Sequence, residues 1–262
     1  MSVRPLYFGP DTGGGLPHTA TLPIWPGRRI SSYRLLVYLG LVFGLVAENR
    51  VARAAGLDGW RVFAATLSLL VPVLVGARLL FVVTHWRVYR RDIRRIWRRA
   101  EGGAALYGGV VMGVLGSVPI LTVFGLPFGA FWDVATYPTL IGAIFARFGC
   151  LLHGCCAGRP TDGRFGLVLS NPYRIWRRRV PTQLVEIGVF GLLLVLTPFV
   201  LHALPFDGAL YLWCLGLYGV ARGTLDFARE ERLGRRAPTV SHVVAVATAL
   251  ACGILLLLGS AR

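Results

Sequence analysis

An all-α, polytopic integral membrane protein of about seven transmembrane helices, with extramembrane arms on the side of its candidate site, is the fold class this sequence predicts. Three observations carry that prediction. Of 262 residues, 55% are hydrophobic and 15% charged, whereas a soluble domain carries about 25% charge. Mean hydropathy is +0.62. The apolar residues fall into long runs, with most charges gathered between them, as in a chain that crosses a bilayer repeatedly.

Residues 1–30 are rich in Gly, Pro and Thr and end in Pro26-Gly27-Arg28-Arg29. They read as an extramembrane arm, too long and irregular for the first part of a signal peptide. Residues 31–262 read as a single transmembrane domain. The first span is expected from about Ser31 to Ala47, and the second from Trp60 to Thr84, with Pro72 inside it and Arg78 near its end. His85 to Arg99 places Trp86, Tyr89, Ile93, Ile96 and Trp97 at helical spacing with arginines opposite. That pattern predicts an amphipathic helix lying in the membrane interface. The third span follows Glu101-Gly102-Gly103 and ends near Phe124; the fourth runs from Phe128 to Leu152. Arg159 to Val180 is a long polar loop. Spans five, six and seven cover about Gln183–Leu201, Gly208–Leu225 and Val240–Leu258, with a charged loop at Arg229–Arg236.

The formal net charge is +16, nearly all of it arginine. Arginine meets phosphate through a planar fork. Because these arginines flank spans, anionic membrane lipid is the expected partner and nucleic acid is not. With seven spans, the N-terminus and the loops after spans two, four and six share one side. Tyr33, Arg78, Tyr107, Arg147 to Cys156 and Tyr218 to Arg222 then all fall toward that side, which points to one site. Counting positive loop charge would call that side cytoplasmic.

The densest stretch is Gly142–Gly166, GAIFARFGCLLHGCCAGRPTDGRFG. If helical, Arg147, Cys150 or Leu151, Gly154 and Gly158 share one face. An arginine inside a span costs several kcal/mol and marks a functional site by default. A structural ion pair of Arg147 with Asp133 or Asp226 is the plainer reading. Arg222 can snorkel to the interface, and Tyr33 and Tyr218 can belong to an aromatic belt. Asp226 reads as orienting an arginine, and His242 as structural. Of five cysteines, Cys214 and Cys252 read as packing residues. Cys150, Cys155 and Cys156 leave four readings open: packing of a helix end, a disulfide, a thiol relay or nucleophile, and, with His153, a metal site. They do not match the paired spacing of structural zinc sites.

The order of these motifs resembles the bacterial prolipoprotein diacylglyceryl transferase family. Arg147-Phe148-Gly149 followed by Gly158-Arg159-Pro160-Thr161 matches the family signature. Gly102-Gly103-Ala104-Ala105-Leu106-Tyr107-Gly108-Gly109, Pro181-Thr182-Gln183-Leu184-Val185-Glu186, and Tyr218-Gly219-Val220-Ala221-Arg222 to Asp226, with Arg229 following, match three further motifs, and Tyr33 a family tyrosine. The resemblance spans about Tyr33 to His242. It implies a multi-pass protein of the bacterial inner membrane, with the site and the N-terminus on the outer face. The implied reaction moves the diacylglyceryl group of phosphatidylglycerol to the thiol of a prolipoprotein lipobox cysteine and releases glycerol phosphate, with no soluble cofactor. Arg147, Arg222 and Tyr107 are the expected catalytic residues. Tyr33, Gly154, Gly158, Tyr218, Asp226, Cys150, His153 and Cys155 are expected to bind substrate. Tyr107 stands where the family has histidine, and Cys150 and His153-Gly154-Cys155 where it has Asn and Asn-Gly-Glu. A tyrosine, with a pKa of about 10, is a poor base at neutral pH. Two further readings stay open: a different enzyme using the cysteine cluster on another lipid or thiol, and a non-enzymatic phospholipid-binding protein.

Overall fold

The computed structural model describes residues 21–25, 28–84, 86–90, 106–170, 175–229 and 240–260. Seven long helices dominate these residues. They are α1 (Ser32–Ala54), α2 (Gly59–Thr84), α4 (Leu106–Phe124), α5 (Phe128–His153), α6 (Thr182–Val200), α7 (Ala209–Asp226) and α8 (Val240–Ser260). A short α3 covers Trp86–Tyr89. Two antiparallel ribbons complete the set, β1 (Thr21–Trp25) with β2 (Arg28–Ser31), and β3 (Leu167–Ser170) with β4 (Trp176–Arg179). Among the described residues, α1, α2, α5, α6 and α8 carry segments long and apolar enough to cross a membrane, and α4 adds a shorter apolar stretch, Gly108–Phe124. Their outward faces are apolar: Val123, Phe199 and Leu257 are each more than 70% exposed. Faces of that kind need lipid rather than water.

The helices fall close to the expected spans, with one clear difference. The first was expected to stop at Ala47, before Glu48-Asn49-Arg50. It continues to Ala54, because two of those polar side chains have partners. Glu48 is buried and accepts a 2.7 Å hydrogen bond from Thr66 Oγ1, and Asn49 Nδ2 donates to the Gly59 carbonyl. The interfacial helix expected over His85–Arg99 is described only at α3; residues 91–105 lie outside the described residues. Arg78 near the end of α2 stacks over the rings of Phe81 and Tyr89, 5.7 Å from each centroid.

The chain divides into two compact units, Met1–Ala47 with Thr136–Arg262, and Glu48–Ala135. In the second, α2 and α4 pack through small residues. A Cβ on Gly108 would collide with the Gly76 carbonyl, and one on Gly76 with the Gly108 carbonyl; at Gly116 it would lie 2.8 Å from the Pro72 ring. This is the close backbone approach that small residues allow between membrane helices. Gly108→Val should therefore destabilise the unit by at least about 1–3 kcal/mol, read as a lowered melting temperature in detergent.

In the first unit, α7 and α8 meet in the same way. A Cβ on Gly219 would sit 2.9 Å from the Ala245 carbonyl oxygen. His242 Nδ1 lies 3.2 Å from the Gly223 carbonyl, in keeping with a structural role. Gly40 and Gly44 of α1 admit Phe145 and Pro138 of α5. Leu140, Phe190, Leu193, Leu210 and Cys214 form the buried core between α5, α6 and α7.

Candidate active site

The site lies in the first unit, where α5, α6 and α7 meet the loop Gly154–Val180. Helix α6 organises it. Thr182 and Gln183 precede Glu186 by four and three residues, so both lie on its side of the helix, and all three are buried. Thr182 Oγ1 donates to the Cys156 carbonyl and Gln183 Nε2 to the Cys155 carbonyl, both at 2.9 Å. Glu186, one turn further, is 0% exposed. Its carboxylate gathers three partners. Arg229 Nη2 donates to Oε2 at 3.1 Å, Arg147 Nη2 lies 3.1 Å from Oε1, and the Tyr218 hydroxyl donates to Oε1 at 3.3 Å. The same hydroxyl accepts from Arg147 Nη2 at 3.2 Å. Phe190, one more turn along, packs against the Tyr218 ring with centroids 4.6 Å apart. An apolar pocket of about 50 Å³ runs from Tyr218 between Leu140, Phe190 and Cys214.

Two guanidiniums face one carboxylate, leaving one positive charge. The Arg229 side chain is 5% exposed and that of Arg147 18%. Arg229 therefore serves the buried pair, while Arg147 retains a surface that can meet an anion. Sequence reading offered Asp133 or Asp226 as the partner of Arg147; the structure places Glu186 there. Glu186 and Arg229 belong to the family motifs but are not among the expected site residues. The available signal was a carboxylate inside an apolar run, which must find a cation.

The backbone around these groups explains several glycines. Helix α5 ends at His153. Gly154 follows with φ 75°, its N–H bonding the Leu151 carbonyl, while Cys155 N–H bonds the Cys150 carbonyl. That is a Schellman cap, which favours glycine. The helical face expected to run from Arg147 through Gly158 is thus cut at His153, and the cap folds Cys155 back over Cys150. Gly158 lies just past the end of strand β4, where a Cβ would strike the Val180 carbonyl. Its neighbour Arg159 donates its N–H to the Ala228 carbonyl, and Gly158 bridges to Arg229. This contact fixes the backbone that carries Arg229. The loop expected from Arg159 to Val180 contains the β3–β4 ribbon, whose buried Arg179 donates to the Gly158 carbonyl.

Tyr33, at the start of α1, lies over Gly149, where a Cβ would be 2.8 Å from its ring. Its centroid is 6.2 Å from that of His153, which is exposed. Arg222 follows Tyr218 by one turn and is half-buried; Asp226 is buried at the end of α7. The structure thus gathers Tyr33, Arg147, Cys150, His153, Gly154, Cys155, Gly158, Tyr218, Arg222 and Asp226 in one unit. Tyr107 belongs to the other, in the first turn of α4, and its side chain lies outside the described residues.

Cys150, Cys155 and Cys156 are free thiols whose sulfurs all lie within 4.8 Å of one another. Cys156 adopts a left-handed backbone, φ 62°, rare for a residue other than glycine. Hydrogen bonds from Cys150 and Cys155, with the nearby Arg229 and Arg147 cations, hold the Cys156 thiol below its usual range.

Apolar helices that enclose an arginine pair around one carboxylate define the class, a multi-pass membrane protein with a charged network buried among its helices. A family model described as prolipoprotein diacylglyceryl transferase matches residues 20–258, and the chain belongs to that family. Similar proteins named phosphatidylglycerol–prolipoprotein diacylglyceryl transferase come from several bacteria. That of Finegoldia magna is 26% identical over 88% of this chain and 91% of its own length. That of Dehalococcoides mccartyi is 28% identical over 83% and 86%, and that of Clostridioides difficile 23% over 79% and 82%.

Proposed function

We propose that this chain transfers the diacylglyceryl group of phosphatidylglycerol to the lipobox cysteine thiol of prolipoproteins in the bacterial inner membrane. A carbon–sulfur bond forms at the glycerol carbon, its bond to the phosphate oxygen breaks, and the electron pair leaves on glycerol phosphate. The observation that supports this reading best is the Arg147–Glu186–Arg229 network, built from three of the family's motifs. Its surplus positive charge suits a phosphodiester and the charge that grows on the leaving phosphate in a low-dielectric setting. In this reading Arg147 and Arg222 hold the phosphate, Tyr33 and Tyr218 border the lipid, and Asp226 orients an arginine. For Tyr107, at the position of the family's histidine, the resemblance implies thiol activation or lipid positioning. The site opens to the outer face, and its arginines are there for the lipid, which is why they run against the positive-inside expectation.

The test mixes purified protein with phosphatidylglycerol and a lipobox peptide. The peptide should gain the mass of a diacylglyceryl group as glycerol phosphate is released. Tight lipid binding without any product would identify a phospholipid-binding protein instead.

A further inference from the structure

Three thiols at one helix end are more than the phosphate site requires, and the chain folds deliberately to bring them together. Cys150 lies in the last turn of α5; the glycine cap returns Cys155 over it; the left-handed backbone of Cys156 turns a third thiol to the same point. Thr182 and Gln183 then clamp the carbonyls of Cys156 and Cys155 from α6. The backbone of the cluster is therefore held independently of anything the sulfurs bind.

We infer that Cys150, Cys155 and Cys156 form a three-thiolate site for a divalent thiophilic metal ion of the zinc class, whose fourth position takes the acceptor thiol. Thiolate sulfurs lie about 2.3 Å from zinc, so three in a tetrahedral arrangement are about 3.8 Å apart. The observed limit of 4.8 Å closes to that by side-chain rotation of about 1 Å at most. Three thiolates with a divalent ion carry one net negative charge. Arg147 precedes Cys150 by three residues on α5, and Arg229 bridges to Gly158, two residues past Cys156, so that charge has cations near it. Among the described residues no fourth His, Cys, Asp or Glu joins the group. His153 follows Cys150 by three residues, yet its ring is exposed and faces Tyr33. Three protein ligands with one position open is the pattern of a catalytic rather than a structural zinc site.

The role of the open position rests on the transferase reading. A thiol bound to such an ion is deprotonated, its proton passing to solvent, and metal coordination is a recognised way to activate a nucleophile. The bound thiolate attacks the glycerol carbon, and the electron pair of the broken carbon–oxygen bond leaves on glycerol phosphate. The metal keeps its oxidation state. This supplies the thiolate in a chain that has Tyr107 in place of a histidine base, and it places the acceptor sulfur beside Arg147.

The experiment titrates the full-length, reduced, metal-depleted protein in detergent with Co²⁺, a spectroscopic substitute for zinc. One Co²⁺ per chain should bind, with a near-ultraviolet thiolate-to-cobalt band that Zn²⁺ abolishes. Cys150→Ser, Cys155→Ser and Cys156→Ser should each weaken binding at least 100-fold. The cobalt spectrum should shift on adding a lipobox peptide, and not with a peptide carrying serine for cysteine. No stoichiometric cobalt band, a band that survives in the triple Ser variant, or a disulfide among these cysteines in protein isolated without reductant would overturn the metal site. A cobalt site indifferent to the peptide would overturn its role toward the acceptor thiol. The transferase reading fails separately. Full transfer by metal-depleted protein and by the Ser variants would sink the metal and leave the transferase. A cobalt site in a protein that transfers nothing would do the reverse.

Discussion

Glu186→Gln should produce the largest loss of stability of any single polar substitution in the first unit. The carboxylate is fully buried and is shared by Arg229, Arg147 and the Tyr218 hydroxyl. Glutamine keeps the shape and one acceptor, but leaves two guanidiniums facing each other without an anion. Removing one partner of a buried ion pair costs about 3–5 kcal/mol. In a domain of this size that corresponds to a fall in melting temperature on the order of 10 °C. Transfer activity should fall with it, since Arg147 loses the group that aims it. A thermal melt in detergent reads the first effect and the transfer assay the second. A double-mutant cycle with Arg229→Met separates charge pairing from packing. If pairing is the cause, the double variant should be clearly more stable than the sum of the two single losses, because Arg147 alone is partly exposed and can be solvated. An unchanged melt for Glu186→Gln would mean that lipid or water, rather than Glu186, compensates these arginines.

Much of the helical architecture is legible in the sequence, since an apolar run of about 20 residues admits few alternatives in a bilayer. The remainder depends on contacts that no local pattern contains. The extension of α1 past Glu48 depends on Thr66, 18 residues away. The β3–β4 ribbon reads as a loop because arginines fill its second strand, and those arginines donate to backbone carbonyls at Gly158, Arg164 and Gly166.

The site was legible in part for the same reason. Arg147 stands out as a charge within a span, and Tyr218 as a motif tyrosine. Glu186 is equally out of place in its apolar run, but the chain has 28 basic residues and spacing alone does not say which one meets it. In the sequence, Gly154 and Gly158 read as substrate-binding positions. The structure gives both a backbone reason, a left-handed cap at one and a carbonyl contact at the other. A glycine in a motif is ambiguous between these uses until its φ and its neighbours are known.

Arg147→Lys should separate binding chemistry from folding. Lysine keeps the charge and can still reach a carboxylate, so the pair with Glu186 is preserved in kind and the melting temperature should change little. What it loses is the fork. Arg147 spends Nη2 on Glu186 and Tyr218 together; the rest of its planar guanidinium remains to donate elsewhere, and its side chain is 18% exposed. An ammonium engaged by the same two acceptors has one donor left and no fixed plane to match a phosphate. Losing one preorganised donor at a developing oxyanion costs about 10²–10³-fold in rate. The expected result is therefore a transfer rate lower by on the order of 10²-fold, with phosphatidylglycerol binding weakened less. The melt, a lipid-binding titration and the transfer rate, made on one preparation, check it. A variant that melts normally and transfers at full rate would show that Arg147 supplies charge alone, and the directional contact to the leaving phosphate would then fall to Arg222.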